Sequence, residues 1–200
     1  IAACAGEMVS APWVRSAATN NVVFLGDSIF AFSGEIHDNL EVIAGTTFRN
    51  YCVSGASLTS DNIATSIDVK EQYAIARSDN NNIKTIIMDG GGNDILIPAI
   101  AFDPYNCKVD WWESGLSSTC KAFINDVYVE GVDLLNQMGR DGVQNVIFQG
   151  YYHLKNGMTG STTLNPAVDY GDTMLAKAVK NATAGPKYRV YIDPRSTIVD

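Results

Sequence analysis

Two hundred residues, 46% of them hydrophobic and with a mean hydropathy of -0.01, are enough for one α/β domain with a substantial core. A formal net charge of -8, with only 14 Lys and Arg, leaves no basic stripe for nucleic acid and disfavours an anionic membrane surface. The longest uncharged apolar run, Ile95 to Phe102, contains Pro98 and is far short of the roughly 20 residues of a membrane-spanning helix.

The chain opens on Ile1 rather than Met, as a removed leader would leave it, although a boundary chosen for another reason looks the same. The apolar segment Val22–Leu25 predicts a first strand that runs straight into Gly26-Asp27-Ser28. Ser28 then stands at the carboxyl end of a strand and at the start of a helix, where backbone N–H groups can stabilise a developing oxyanion. Asp and Ser at such a place also cap helices without doing chemistry. Phe48–Val53 predicts a second strand, followed by Ser54-Gly55-Ala56-Ser57, in which Gly55 either brings its N–H close to a substrate or simply turns the chain. Asp61 to Arg77 has helical spacing. Lys84–Met88 predicts a third strand running into Asp89-Gly90-Gly91-Gly92-Asn93-Asp94, where Asn93 is a neutral two-donor group or an Asx-turn residue.

Ala99–Cys120 reads as a long irregular connection, and loops of that length are usually functional walls. Within it Cys107 and Cys120 bracket Trp111 and Trp112, the pattern of a disulfide-stapled excursion in an oxidising compartment, with four buried free thiols as the alternative. Cys4 and Cys52 would form a second bridge if the N-terminal arm lies against the sheet. Phe123, Val127, Leu134, Leu135 and Met138 place an apolar stripe on a helix before Gly139. Asn145–Phe148 predicts a fourth strand, followed by Gly150-Tyr151-Tyr152-His153 and a second irregular stretch to Val168; Tyr170 to Val179 is helical, and Arg189–Ile192 predicts a fifth strand. Strands alternating with helices imply a parallel sheet whose site lies outside the carboxyl ends of its strands. His37 and His153 are far apart and there is no C-x-x-C pair, so no zinc cage, other metal site or cofactor is expected. Ile95 occupies the place of the third glycine of a dinucleotide fingerprint, which counts against a nucleotide-binding reading.

Gly26-Asp27-Ser28-Ile29, Gly55 and Gly91-Gly92-Asn93-Asp94, in that order and spacing, resemble the first three blocks of the SGNH (GDSL-type) serine esterase and lipase family, over roughly Val22 to Phe148. The resemblance implies a three-layer αβα sandwich around a five-stranded parallel sheet of flavodoxin-like order. It implies a hydrolase of carboxylic esters, whether lipid, short-chain acyl or O-acetyl carbohydrate, that forms an acyl-enzyme on Ser28. The Ser28 N–H, the Gly55 N–H and the Asn93 side chain would make the oxyanion hole. The family's fourth block, D-x-x-H after the fifth strand, has no match here: Asp193 is followed three places on by Ser196, and only Asp200, the last residue, could open the block. The expectation is therefore one domain over residues 1–200 that lacks its C-terminal segment, with Asp200 orienting a histidine further on. His153 and Tyr151, with Phe30, Phe32, Tyr105, Trp111, Trp112 and Tyr152, fall in or near loops at the expected catalytic edge, and His153 and Tyr151 are expected to contact substrate. A monomer in a secreted or periplasmic setting is expected. The competing reading is a non-catalytic binding module that keeps the fold and lacks the general base.

Overall fold

The computed structural model describes residues 13–59, 67–155 and 161–196. Five strands form one parallel sheet in the order β2-β1-β3-β4-β5. They are β1 (Thr19–Leu25), β2 (Phe48–Asn50), β3 (Thr85–Met88), β4 (Asn145–Gln149) and β5 (Tyr188–Ile192), and Val14 adds an antiparallel bridge to Asn50. The helices are α1 (Ser28–Ser33), α2 (Glu35–Ala44), α3 (Val69–Asp79), α4 (Gly92–Ala101), α5 (Ser118–Arg140) and α6 (Ser161–Asn181), and a short 3-10 turn follows at Pro194–Ser196. This is the fold class expected from the sequence.

The strand alternation sorts side chains onto two faces. Val23, Leu25, Ile86, Met88, Val146 and Phe148 point to one face, where α3, α5 and α6 cover them in the main core. Phe24 points to the other face and packs with Phe30, Phe48 and Cys52 beneath α1 and α2. That second layer is narrow. It ends before β5, where Tyr188, Val190 and Ile192 are 60%, 50% and 45% exposed.

Several boundaries differ from those expected. β2 ends at Asn50, although Tyr51 and Val53 beyond it still send their N–H groups to Phe24 of β1 and to Gly26 just after it. The helix expected from Asp61 begins at Val69, capped by Asp68; residues 60–66 lie outside the described part. The two stretches expected to be irregular are partly helical: α4 runs through Pro98 to Ala101, and α6 begins at Ser161 and contains Pro166.

The long helices overreach the sheet. The 23 residues of α5 span about 35 Å at the α-helical rise, whereas the five residues of β4 span about 17 Å. Because α5 ends just before β4 begins and runs antiparallel to it, its surplus length lies beyond the carboxyl edge. The 21-residue α6 behaves likewise toward β5. A satellite core of Ile95, Ala99, Cys107, Cys120, Ile124 and Leu164 joins these overhanging ends to α4. The result is a wall standing above the edge where the expected site residues lie.

Candidate active site

β1 lies between β2 and β3, so the strand order reverses at β1, which is where parallel α/β sheets bind ligands. The three expected blocks follow these three neighbouring strands. The Gly26 backbone is held on both sides by the buried Gln72 of α3: Gly26 N–H donates to Gln72 Oε1 at 2.7 Å, and Gln72 Nε2 donates to Gly26 O at 2.9 Å. Only glycine fits here, since φ is +147° and a Cβ would come 1.7 Å from Asp89 Oδ1. Asp27 caps α1, its Oδ1 accepting from Ile29 N–H at 3.0 Å, and Ser28 is the first residue of that helix, half-buried.

Beneath the Ser28 turn lies a cluster of buried acids. Asp27 N–H donates to Asp89 Oδ1 at 2.6 Å, and the Tyr151 hydroxyl donates to Asp27 Oδ2 at 2.6 Å. Asp89 Oδ2 has no hydrogen-bond partner among the described residues. Burial, and after it the charge of Asp27, pushes the Asp89 carboxyl well above its ordinary range. Burial raises Asp27 too, but the Ile29 N–H and the Tyr151 hydroxyl favour its charged form. Of the two carboxyls, that of Asp89 is the more strongly raised.

The second and third blocks are tied to each other. Gly55 lies in a turn with φ +80°, and the next residue, Ala56, offers its carbonyl to Asn93 Nδ2 at 3.0 Å. Asp94 is 1% exposed and accepts from Leu58 N–H and Thr59 N–H, both at 2.8 Å, and from the Thr59 hydroxyl at 2.6 Å. The G-x-N-D segment thus braces the loop that carries Gly55. Asp94 was not singled out from the sequence, although its place in the motif was the signal available.

The two histidines and the remaining expected residues separate. His37 is buried on the other face, edge-on to Phe24 at 4.8 Å, with Nε2 3.3 Å from Phe48 O and 3.2 Å from Glu41 Oε1. It packs the α2 layer. His153 is on the carboxyl side of β4 and half-exposed, with Nε2 2.8 Å from Asp169 Oδ1. Arg195 Nη1 reaches the same Asp169 oxygen at 2.7 Å and Arg195 Nη2 pairs with Asp193 at 2.6 Å, holding the Asp193 carboxyl below its ordinary range. Tyr151, expected as a substrate contact, is 8% exposed; its hydroxyl donates to Asp27 and its N–H donates to Asp172 at 2.9 Å. Among the other aromatic residues, Phe30 is core and Tyr105 stacks on Phe123 at 3.9 Å, while Phe32, Tyr152, Trp111 and Trp112 remain exposed. Cys107 and Cys120 form a disulfide. Cys52 is buried and joined to no cysteine among the described residues, and its suggested partner Cys4, like Asp200, lies outside them.

The fold is of the α/β class, a five-stranded parallel sheet covered by helices, and it is shared with solved structures of esterases at low sequence identity. An inhibitor-bound M. smegmatis aryl esterase is similar in structure, with a TM-score of 0.56 at 12% identity over 88% of this chain and 84% of that one. Axe2, an acetylxylan esterase from Geobacillus stearothermophilus, is similar with a TM-score of 0.53 at 11% identity over 92% of this chain and 80% of that one. No protein-family model matches the chain, and no curated protein matches it.

Proposed function

We propose that this chain is a serine ester hydrolase with Ser28 as nucleophile. The observation that carries the reading is the convergence of three braced loops at the carboxyl ends of β2, β1 and β3, with Ser28 opening a helix at the strand-order reversal. The fold likeness to enzymes named as aryl and acetylxylan esterases supports a small acyl group on an aryl or carbohydrate alcohol. In this reading Ser28 Oγ attacks the ester carbonyl carbon and gives its proton to a base. The resulting oxyanion takes hydrogen bonds from the Ser28 N–H, the Gly55 N–H and the Asn93 side chain. The base returns the proton to the leaving alcohol, and water then releases the acid from Ser28. The disulfide supports an oxidising, extracellular or periplasmic setting.

Two assignments of the base compete. The family resemblance implies a D-x-x-H histidine, a pattern absent from residues 1–200. The 2.8 Å pair between His153 and Asp169 favours His153, because a carboxylate that holds one ring nitrogen orients the other for proton transfer. The observation favouring a non-catalytic module is that, among the described residues, neither histidine is hydrogen-bonded to Ser28.

The test is labelling with a fluorophosphonate and peptide mapping, together with hydrolysis of 4-nitrophenyl acetate. The expected adduct is on Ser28, and Ser28→Ala abolishes both labelling and turnover. With His153 as base, His153→Ala lowers kcat by about 10²–10⁴. A fully active His153→Ala removes His153 from the mechanism. Absence of both labelling and hydrolysis in the folded chain overturns the reading in which His153 is the base.

A further inference from the structure

Arg195 takes no part in the reaction steps at Ser28, yet it stands among more charged groups than a surface arginine needs. Asp193 follows β5, and in the 3-10 turn Pro194–Ser196 the Arg195 N–H donates to Asp193 Oδ1 at 3.1 Å. The turn brings the guanidinium against α6, where Asp169 and Asp172, three residues apart, lie on one face. One cation is thus set among three carboxylates. Nη1 donates to Asp169 Oδ1 at 2.7 Å, Nε and Nη2 donate to Asp193 Oδ1 and Oδ2 at 2.8 and 2.6 Å, and Nε lies 3.2 Å from Asp172 Oδ2. Two of these carboxylates have other partners. Asp169 Oδ1, the oxygen that Arg195 engages, is also the one 2.8 Å from His153 Nε2. Asp172 is 1% exposed, and its Oδ1 accepts from the Tyr151 N–H at 2.9 Å and from the Tyr191 hydroxyl at 2.7 Å. The Tyr151 hydroxyl donates in turn to Asp27, the cap of the helix that Ser28 opens. Arg195 therefore joins His153 to the residues beneath the Ser28 turn.

We propose that Arg195 is a positioning residue for His153: its fork fixes the Asp169 carboxylate against the ring, and its charge, one shared oxygen away, opposes protonation of that ring. A guanidinium suits the task because it stays charged at any working pH and its planar donors engage several carboxylates at once. The charged groups set around the ring are Asp169 from α6, and Asp193 and Arg195 from the segment after β5. The two carboxylates favour the imidazolium and Arg195 offsets them. The offset matters because a ring that already carries a proton cannot take one from a nucleophile. That this ring is the base for Ser28 rests on the reading above; the effect of Arg195 on its protonation does not.

The experiment follows the His153 ring by NMR through a pH titration of the full chain, with His153→Ala identifying its signal against that of His37. The acid limb of kcat/KM for 4-nitrophenyl acetate is recorded in parallel. Arg195→Gln is expected to raise the His153 midpoint by about half a pH unit, the size of an interaction between partly exposed charges. With His153 as base the acid limb moves up with it, whereas a residue that only braced the fold would lower activity without displacing the limb. Arg195→Lys keeps the charge and is expected to return most of the shift. A midpoint unmoved or lowered in Arg195→Gln overturns the proposal. Should that variant fail to fold, having stripped the buried Asp172 of its cation, the half-exposed Asp169→Asn decides. The ring then faces Arg195 without the shared carboxylate, so its midpoint falls; an unmoved midpoint overturns the proposal. A His153 midpoint that moves in Arg195→Gln while the acid limb stays keeps the action of Arg195 on His153 and removes His153 as the base, so the two readings fail separately.

Discussion

Asp27 and Asp89 are both buried, the Asp27 N–H meets the Asp89 carboxyl, and burial raises both carboxyls. Of the two, Asp89 is raised further, which makes it sensitive to pH in a direction that follows from linkage. Its folded-state value lies above the ordinary one, so its contribution to stability is complete at pH below about 4, where the unfolded carboxyl is also protonated. The contribution is lost as pH rises toward the folded-state value, at about 1.4 kcal/mol per pH unit for one proton. Asp89→Asn keeps a neutral group of the same shape and an oxygen for the Asp27 N–H. The stability of this variant relative to the parent is therefore expected to increase between pH 5 and pH 7, measured by urea denaturation. A difference that stays constant over that range would show that Asp89 is ionised in the fold. The sequence displayed Asp89 only as a residue next to a glycine cluster; its partners, Gly26 and Asp27, are more than 60 positions away along the chain and meet it only through the β1–β3 pairing.

At the scale of elements, the site depends on a helix start packed against a ring. Gly92 opens α4, and a Cβ there would stand 2.2 Å from Tyr151 Cε1, so any side chain displaces the ring that holds Asp27. Gly92→Ala is expected to lower stability by about 1–3 kcal/mol, the usual range for overpacking, and to lower kcat through the shifted Ser28 turn. Unchanged stability in thermal or chemical unfolding would place the Tyr151 ring elsewhere. The strand positions were legible because buried parallel strands are short apolar runs, and the α5 stripe was legible from its 3.6-residue period. The early start of α6 was not: Pro166 sits inside the helix and reads as punctuation until the packing of Leu164 and Ala167 into the satellite core outweighs it. The bond from the Tyr151 hydroxyl to Asp27 was hidden for a similar reason, since nothing local to an aromatic residue after a strand shows which distant group its hydroxyl meets.

For the molecule as a whole, the two faces of one sheet have unequal cover, and this can be measured. Val146 on β4 is 1% exposed under α5 and α6, whereas Val190 on neighbouring β5 is 50% exposed on the other face. Val146→Thr is expected to cost about 1–3 kcal/mol for a buried hydroxyl, and Val190→Thr to stay within about 0.5 kcal/mol, both read from unfolding midpoints. Equal costs would mean that β5 is covered on both faces. Residue order alone determined the α/β alternation, the five strands, the loops bearing Ser28, Gly55 and Asn93, and the Cys107–Cys120 staple. These are local patterns, or matches of pattern to motif, and they survive without knowledge of neighbours. Tertiary structure alone decided which face His37 occupies, that His153 meets Asp169, that Tyr151 and Asp89 lie beneath the Ser28 turn, and that α5 and α6 overhang the sheet. Each of these depends on which distant segments the sheet order makes adjacent, and that adjacency is set by the burial of whole faces rather than by any local run of residues.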